Sequence, residues 1–227
     1  MVKPILSISN LNKSFHERKI FENVNFDIFE NEIIGLLGFS GAGKTTLLNI
    51  MCGFVKPDFG EITNNMGETL FENNLEIKSM IGFSSQNPSV YYDLTVYDNL
   101  EYFATLENVD KKIIPERIHE ILEKLDLHDF KKTVAKDLSE GMKKRLDIAC
   151  SIIDKPKILI LDEPTSNLDY KLRDGLLEYI KKINKEGTTI IFVSHYLDEI
   201  KNICSRILII KDKKIISKEI SELKDSF

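Results

Sequence analysis

Three cysteines in 227 residues, Cys52, Cys150 and Cys204, are too few and too scattered to build a disulfide framework, and none stands in metal-ligand spacing with the four histidines. They are expected to be reduced, buried thiols. No apolar run approaches the roughly 18 to 20 residues that cross a bilayer, and the longest, residues 33–39, is broken by Gly35 and Gly38. The chain is therefore expected not to span a membrane. The opening Met1-Val-Lys-Pro-Ile-Leu-Ser has one early lysine but no apolar core long enough for a signal peptide, which predicts a cytosolic protein. An excess of positive charge is also missing. With 31 basic against 36 acidic residues the net charge is -5, so there is no global footprint for nucleic acid. Internal repeats, linkers and low-complexity runs are absent as well. What is present is a composition of 42% hydrophobic and 30% charged residues, which excludes disorder. The length suits one large domain or one domain carrying a smaller inserted one.

Residues 24–28, Val-Asn-Phe-Asp-Ile, alternate apolar and polar, the period of a strand with one wet face, and predict an antiparallel sheet at the start of the chain. Residues 33–37, Ile-Ile-Gly-Leu-Leu, form a continuous apolar run of the kind found in a central parallel strand. The run leads into a glycine-rich loop, and then Leu47, Leu48, Ile50 and Met51 recur at helical spacing before Gly53 and Pro57. Two further buried strands are predicted over residues 157–161 and 188–193, with a crossover helix over 170–184 between them. Ligands belong at the carboxyl ends of such strands. Residues 87–153 read as a helical insertion, with helical spacing in 96–106, 115–125 and 141–153. A hairpin over 207–216 closes the chain. The fold class is α/β: a P-loop core with a mainly parallel sheet, an N-terminal antiparallel β subdomain and an inserted helical subdomain. Residues 1–86 and 154–227 are expected to form the core that carries the glycine-rich loop, and 87–153 the helical subdomain.

Gly38-Phe39-Ser40-Gly41-Ala42-Gly43-Lys44-Thr45-Thr46 contains the complete pattern Gly-x4-Gly-Lys-Thr between a strand and a helix. Glycines let successive backbone N–H groups converge on phosphates, Lys44 adds a point charge, Thr45 offers a hydroxyl to Mg²⁺, and the helix N-terminus favours the anion. Asp162 and Glu163 stand side by side at the end of a buried strand. Asp162 suits a Mg²⁺ shell, and Glu163 suits a base that polarises an attacking water. Lys143-Lys144-Arg145 reads as a solvated helix face or a phosphate-side charge cluster in preference to a nucleic-acid patch.

Taken together, these motifs resemble the ATP-binding subunit of an ABC transporter, and the resemblance covers nearly the whole chain. It adds Gln86 after the strand over 80–83, Leu138-Ser139-Glu140-Gly141-Met142 opening a helix, Ser166-Asn167-Leu168-Asp169 after the acidic pair, and His195 after the strand ending at Val193. The resemblance implies that Gln86 reaches Mg²⁺ or the attacking water and couples the site to the helical insertion. It also implies that His195 bonds the γ-phosphate, that Phe15 stacks on adenine, and that Asp169 joins the nucleotide site. The 138–142 segment departs from the common Leu-Ser-Gly-Gly-Gln form at Glu140 and Met142. In the family that segment, through Ser139, Glu140 and Gly141 here, binds the γ-phosphate held by the other subunit, so a dimer sandwiching two ATP molecules is implied. Glu140 would have to point away from the nucleotide, toward solvent or toward Lys143 or Lys144.

The resemblance thus implies an ATPase, with ATP and Mg²⁺ as cofactors. It would act at the inner face of the membrane on a separate permease, paired with a second copy of itself or a homologous subunit, and without nucleic acid as a partner. Leu94-Thr-Val96 and the stretch from Asn99 to Phe103 resemble the subunits of multidrug or lipid exporters. The alternative is a soluble ATPase of the same superfamily acting in translation or DNA maintenance. Such proteins usually carry two of these domains or a long coiled coil, and neither is seen here. A nucleotide kinase would leave Ser139, Gly141 and residues 166–169 without a role.

Overall fold

The computed structural model describes residues 3–71, 75–166 and 168–223; Asn167 of the predicted 166–169 motif lies outside the described residues. Two sheets organise the chain. Strands β1 (Pro4–Phe15), β2 (Arg18–Phe29) and β4 (Phe59–Asn64) form an antiparallel sheet in the order β2-β1-β4. The alternation in 24–28 belongs to the longer strand β2, in which Val24, Phe26 and Ile28 are buried.

Six strands form the second sheet, in the order β5-β6-β7-β3-β8-β9: β3 (Ile33–Gly38), β5 (Ile81–Ser84), β6 (Ile158–Asp162), β7 (Thr189–Val193), β8 (Arg206–Lys211) and β9 (Lys214–Glu219). Every pairing is parallel except β8 with β9. All five residues of β6 and all five of β7 are buried, which explains their unbroken apolar runs. The first arm of the C-terminal hairpin, β8, pairs in parallel with β3 and so belongs to the main sheet.

Strand periodicity splits the core in two. Ile158, Ile160, Ile191 and Val193 face α1 (Lys44–Met51) and the antiparallel sheet. Leu159, Leu161, Ile190 and Phe192 face the other helices: α3 (Val96–Leu106), α4 (Ile114–Lys124), α5 (Glu140–Ser151), α6 (Tyr170–Lys185) and α7 (Leu197–Ile203). One short helix, α2 (Leu75–Ser79), precedes β5. Among the described residues of 87–153 the only strand-like pairing is an isolated bridge between Thr95 and Val134. Thr95 also starts α3 with a capping box, accepting from the Asp98 N–H while Asp98 bonds back to its own. The three cysteines are free and buried, and burial pushes the Cys52 thiol up to about 12.

Candidate active site

Because β3, β5, β6 and β7 run parallel, their carboxyl ends meet on one edge, and the predicted residues follow those ends in space. Ser40, Gly41, Gly43, Lys44, Thr45, Thr46, Gln86, Asp162, Glu163 and His195 line a single open cleft of about 430 Å³, joined by Arg18 and Ile20. The remaining predicted residues stand outside its walls. Gly38 contributes through its carbonyl, which accepts from Lys44 Nζ at 2.8 Å. Phe39 is largely exposed, and Ala42 lines a neighbouring groove.

Gly43, at φ 112°, begins α1, which has no side-chain cap and no acidic residue in its first turn. Its opening N–H groups are left for an anion. A Cβ at Gly43 would lie 2.7 Å from Ile20 Cγ2 and 3.0 Å from Phe21 Cζ, so both backbone and packing demand glycine. Arg18 clamps the loop from outside through Nη2 to the Gly41 carbonyl at 3.1 Å. Sequence reasoning missed Arg18, because only the β1–β2 hairpin brings it against a loop 23 residues away. Phe15 pairs with Arg18 across that hairpin, stands 45% exposed, and has the Lys13 ammonium 5.1 Å from its ring centre.

Asp162 and Glu163 are both buried, and burial raises both carboxyls above their ordinary range. Lys144, Lys44 and His195 oppose the rise at Asp162. At Glu163 the opposition comes first from His195, while the neighbouring Asp162 adds to the rise. Glu163 sits at φ 52°, left-handed backbone that non-glycine residues rarely adopt. Its Oε1 is buried without an aligned hydrogen bond and faces Nε2 of His195 at 3.1 Å. The donor set at this edge fits a nucleotide and a hard cation: the Glu163 and Asp162 carboxylates, the Thr45 hydroxyl, the Gln86 amide and the Lys44 ammonium.

Behind these residues lies a support that sequence reasoning also missed. Glu199 of α7 is 3% exposed, and its Oε2 accepts from Ser194 Oγ at 2.6 Å and Thr165 Oγ1 at 2.8 Å. Its Oε1 lies 3.3 Å from Arg173 Nε. It ties together the segments following β6 and β7, which carry Glu163 and His195.

The residues of the 138–142 segment and Asp169 lie elsewhere. Ser139 is exposed and caps α5, its Oγ accepting from the Met142 N–H at 3.3 Å. Glu140 turns to solvent and to Lys143, with Oε1 2.8 Å from Nζ. Gly141 is buried in the first turn. Asp169 caps α6, accepting from the Leu172 N–H at 3.0 Å. The basic run 143–145 corrects its sequence reading: Lys144 and Arg145 are 2% and 8% exposed, so they form no solvated face. Buried acceptors account for this, because Arg145 donates to the Leu125 carbonyl and Lys144 to those of Ser85 and Asp162. Outside the cleft, His119, Glu123 and His128 converge, yet the Lys131 ammonium 3.4 Å from His128 Nε2 opposes a second cation there.

Comparison with known proteins extends the geometry. The family model described as ABC transporter matches residues 21–166. An uncharacterised ABC transporter ATP-binding protein of Bacillus subtilis, YdbJ, is 39% identical over 95% of this chain and 69% of its own length. The spermidine/putrescine import ATP-binding protein PotA of Marinobacter nauticus is 37% identical over 93% of this chain, which spans 57% of that protein. The structure of cbiO1 from Clostridium perfringens, described as part of the ABC transporter complex cbiONQ, superposes with a TM-score of 0.86 at 27% identity, covering 97% of this chain and 90% of that one. No helix among the described residues is long and apolar enough to cross a membrane. By these matches the chain belongs to the ABC transporter family, as an ATP-binding subunit and an ATPase.

Proposed function

We propose that this ATPase drives a separate membrane-spanning permease by ATP-dependent dimer closure and hydrolysis-dependent reopening, held at the inner face of the membrane by that partner. The observation that carries the proposal is the position of Ser139: exposed, outside its own cleft, at the N-terminus of α5. Its hydroxyl oxygen already accepts from the helix, so its proton remains free to donate outward, and in this reading the acceptor is a nucleotide held by a second subunit. The second subunit is another copy or a homologue.

Within one cleft, Lys44 and the start of α1 bind the β and γ phosphates, while Thr45, Asp162 and Gln86 are the residues that would hold Mg²⁺, whose charge would offset that of the phosphates. Glu163 takes a proton from the attacking water and His195 orients it toward the γ-phosphate. Phe15 and Arg18 flank the base and the loop. Gln86 relays occupancy to residues 87–153, which act as the helical subdomain between the core and the permease. The exporter type rests on residues 94–96 and 99–103. There Asn99, fully buried, accepts from the Tyr91 N–H and donates to the carbonyls of Tyr91 and Thr95, fixing the turn that follows Gln86. With Lys144 and Arg145 buried, the run 143–145 itself offers no cationic face for a nucleic acid.

The test is light scattering on purified Glu163→Gln with Mg-ATP. A twofold rise in mass is expected, and Ser139→Arg should abolish it. A rise that survives Ser139→Arg, or no rise in the parent, would overturn the sandwich.

A further inference from the structure

Lys144 is a charged side chain 2% exposed beside the buried Asp147, although replacing both members of a buried ion pair by neutral side chains is often no less stable. Its partners suggest another reason for it. Nζ donates to the carbonyl of Ser85, the residue before Gln86, and to that of Asp162 at 3.3 Å, with Asp147 Oδ2 3.8 Å away. Asp147, 3% exposed, accepts from Ser84 Oγ at 2.6 Å and from the Ser89 N–H at 2.8 Å. The two charges, one turn apart on α5, thus hold both ends of the loop that carries Gln86 and the backbone of Asp162. Ser139 caps the same helix five residues earlier, about 7.5 Å along its axis.

Two further contacts make α5 a stiff connector. At its far end a Cβ on Gly82 would lie 2.2 Å from the Ser151 carbonyl oxygen, so β5 and α5 touch backbone to backbone. In its second turn Arg145 Nη1 donates to the Leu125 carbonyl at 2.7 Å, which ties α5 to the end of α4. A shift of the loop at residues 84–89 would therefore be passed to α5 through the hydrogen-bonded side chains of Lys144 and Asp147.

We propose that Lys144, balanced by Asp147, is a positioning residue that ties the Gln86 loop and the Asp162 backbone to α5, so that filling the cleft moves the Ser139 end of the helix. Its consequence for closure rests on the sandwich proposed above, but the tether itself is a property of one subunit. The decisive groups are the donors of Lys144 and the acceptors of Asp147; Gln keeps an NH2 donor for the carbonyls, and Asn keeps one oxygen for the Ser89 N–H while its NH2 can donate to Ser84 Oγ.

Amide hydrogen exchange read by mass spectrometry tests this in the Glu163→Gln parent, at a dilution where light scattering shows monomers, with and without Mg-ATP. The parent should gain protection both at residues 84–89 and at 139–147. Lys144→Met with Asp147→Leu should keep the first response and reduce the second at least threefold. Lys144→Gln with Asp147→Asn, which keeps a neutral donor toward the carbonyls and an oxygen toward the Ser89 N–H, should restore the second to within twofold of the parent. An unreduced helix response in the Met/Leu variant would overturn the tether, as would no helix response in the parent. So would a lost helix response in the Gln/Asn variant with the loop still responding, which keeps the proposal open to refutation even where the Met/Leu chain fails to fold. Absence of ATP-dependent dimers at higher concentration would count against the sandwich alone.

Discussion

Glu163 is held by constraints that oppose one another. Its backbone lies in the left-handed region at φ 52°, of the order of 1–2 kcal/mol less favourable than the right-handed one, and its carboxyl is buried beside Asp162. Such strain persists where the surroundings over-determine it, here through the Glu163 N–H to the Val193 carbonyl at 3.0 Å and the Ser166 N–H to the Glu163 carbonyl at 3.1 Å. Glu163→Gln should keep ATP affinity within about threefold and lower turnover by about 10² to 10⁴, the usual loss for a general base. The sign of its pH dependence follows from burial. A base must be deprotonated, and burial raises this carboxyl above its ordinary 4.5 in the free protein, so the acid limb of kcat/KM should have its midpoint above 4.5. His195 opposes that rise, so His195→Ala should move the midpoint further up; a downward move would contradict the arrangement. At Gly43 a Cβ meets Phe21, which is 1% exposed and cannot retreat. Gly43→Ala should weaken equilibrium ATP binding more than tenfold, whereas wild-type affinity would remove the loop from the phosphate site. The phosphate loop was legible because its residues are contiguous. Arg18 and Lys144 were not, because each is defined by contacts 23 and 59 residues away in the chain.

Among elements, legibility tracked burial. β6 and β7 are covered on both faces and read as apolar runs, whereas β4 has three exposed residues at its start, and no pattern in Phe-Gly-Glu-Ile-Thr-Asn announces it. α5 shows the converse. Its Lys-Lys-Arg run reads as wet, yet eight of its twelve residues are buried because neighbouring carbonyls accept the charges. The first turn of α5 carries Glu140, exposed and paired with Lys143. An exposed pair of this kind contributes well under 1 kcal/mol, so Glu140→Gly should change the affinity of ATP-dependent dimers by less than about fivefold. A tenfold tightening would mean that Glu140 acts as an electrostatic brake on closure. The start of α7 behaves differently. Glu199→Ala would strand two hydroxyls and Arg173 around a buried hole, at a cost of about 3–5 kcal/mol. Urea unfolding should show that loss, and kcat should fall with it as the Ser194-His195 segment loosens. Unaltered stability would show that Glu199 is no support.

Over the whole molecule, the face of the main sheet that receives α6 and α7 continues without a break into the core of α3, α4 and α5, so the insertion and the sheet are expected to unfold together. The chain returns from the insertion to β6 through Asp154, which faces Glu107 beyond α3 and Arg117 on α4. Burial, the larger cause, and the Glu107 charge push this carboxyl up to about 6, against the pull of Arg117 and of its own backbone N–H. A carboxyl whose folded value is raised binds a proton more tightly in the folded chain, so ionising it costs stability. Below the unfolded value of 3.8 both states are protonated and there is no cost; the cost grows as pH rises toward 6 and is complete above it. At about 1.4 kcal/mol for each tenfold difference in proton affinity, and allowing for partial exposure, it amounts to about 1–3 kcal/mol. Asp154→Asn cannot ionise and should escape that cost. Urea unfolding of the two chains side by side should give equal stabilities near pH 4 and an advantage of about 1–3 kcal/mol for the variant at pH 7–8, with other titrations cancelling in the difference. A difference that stays constant from pH 4 to 8 would show that Asp154 titrates alike in both states, and that this junction is open to water in the folded chain.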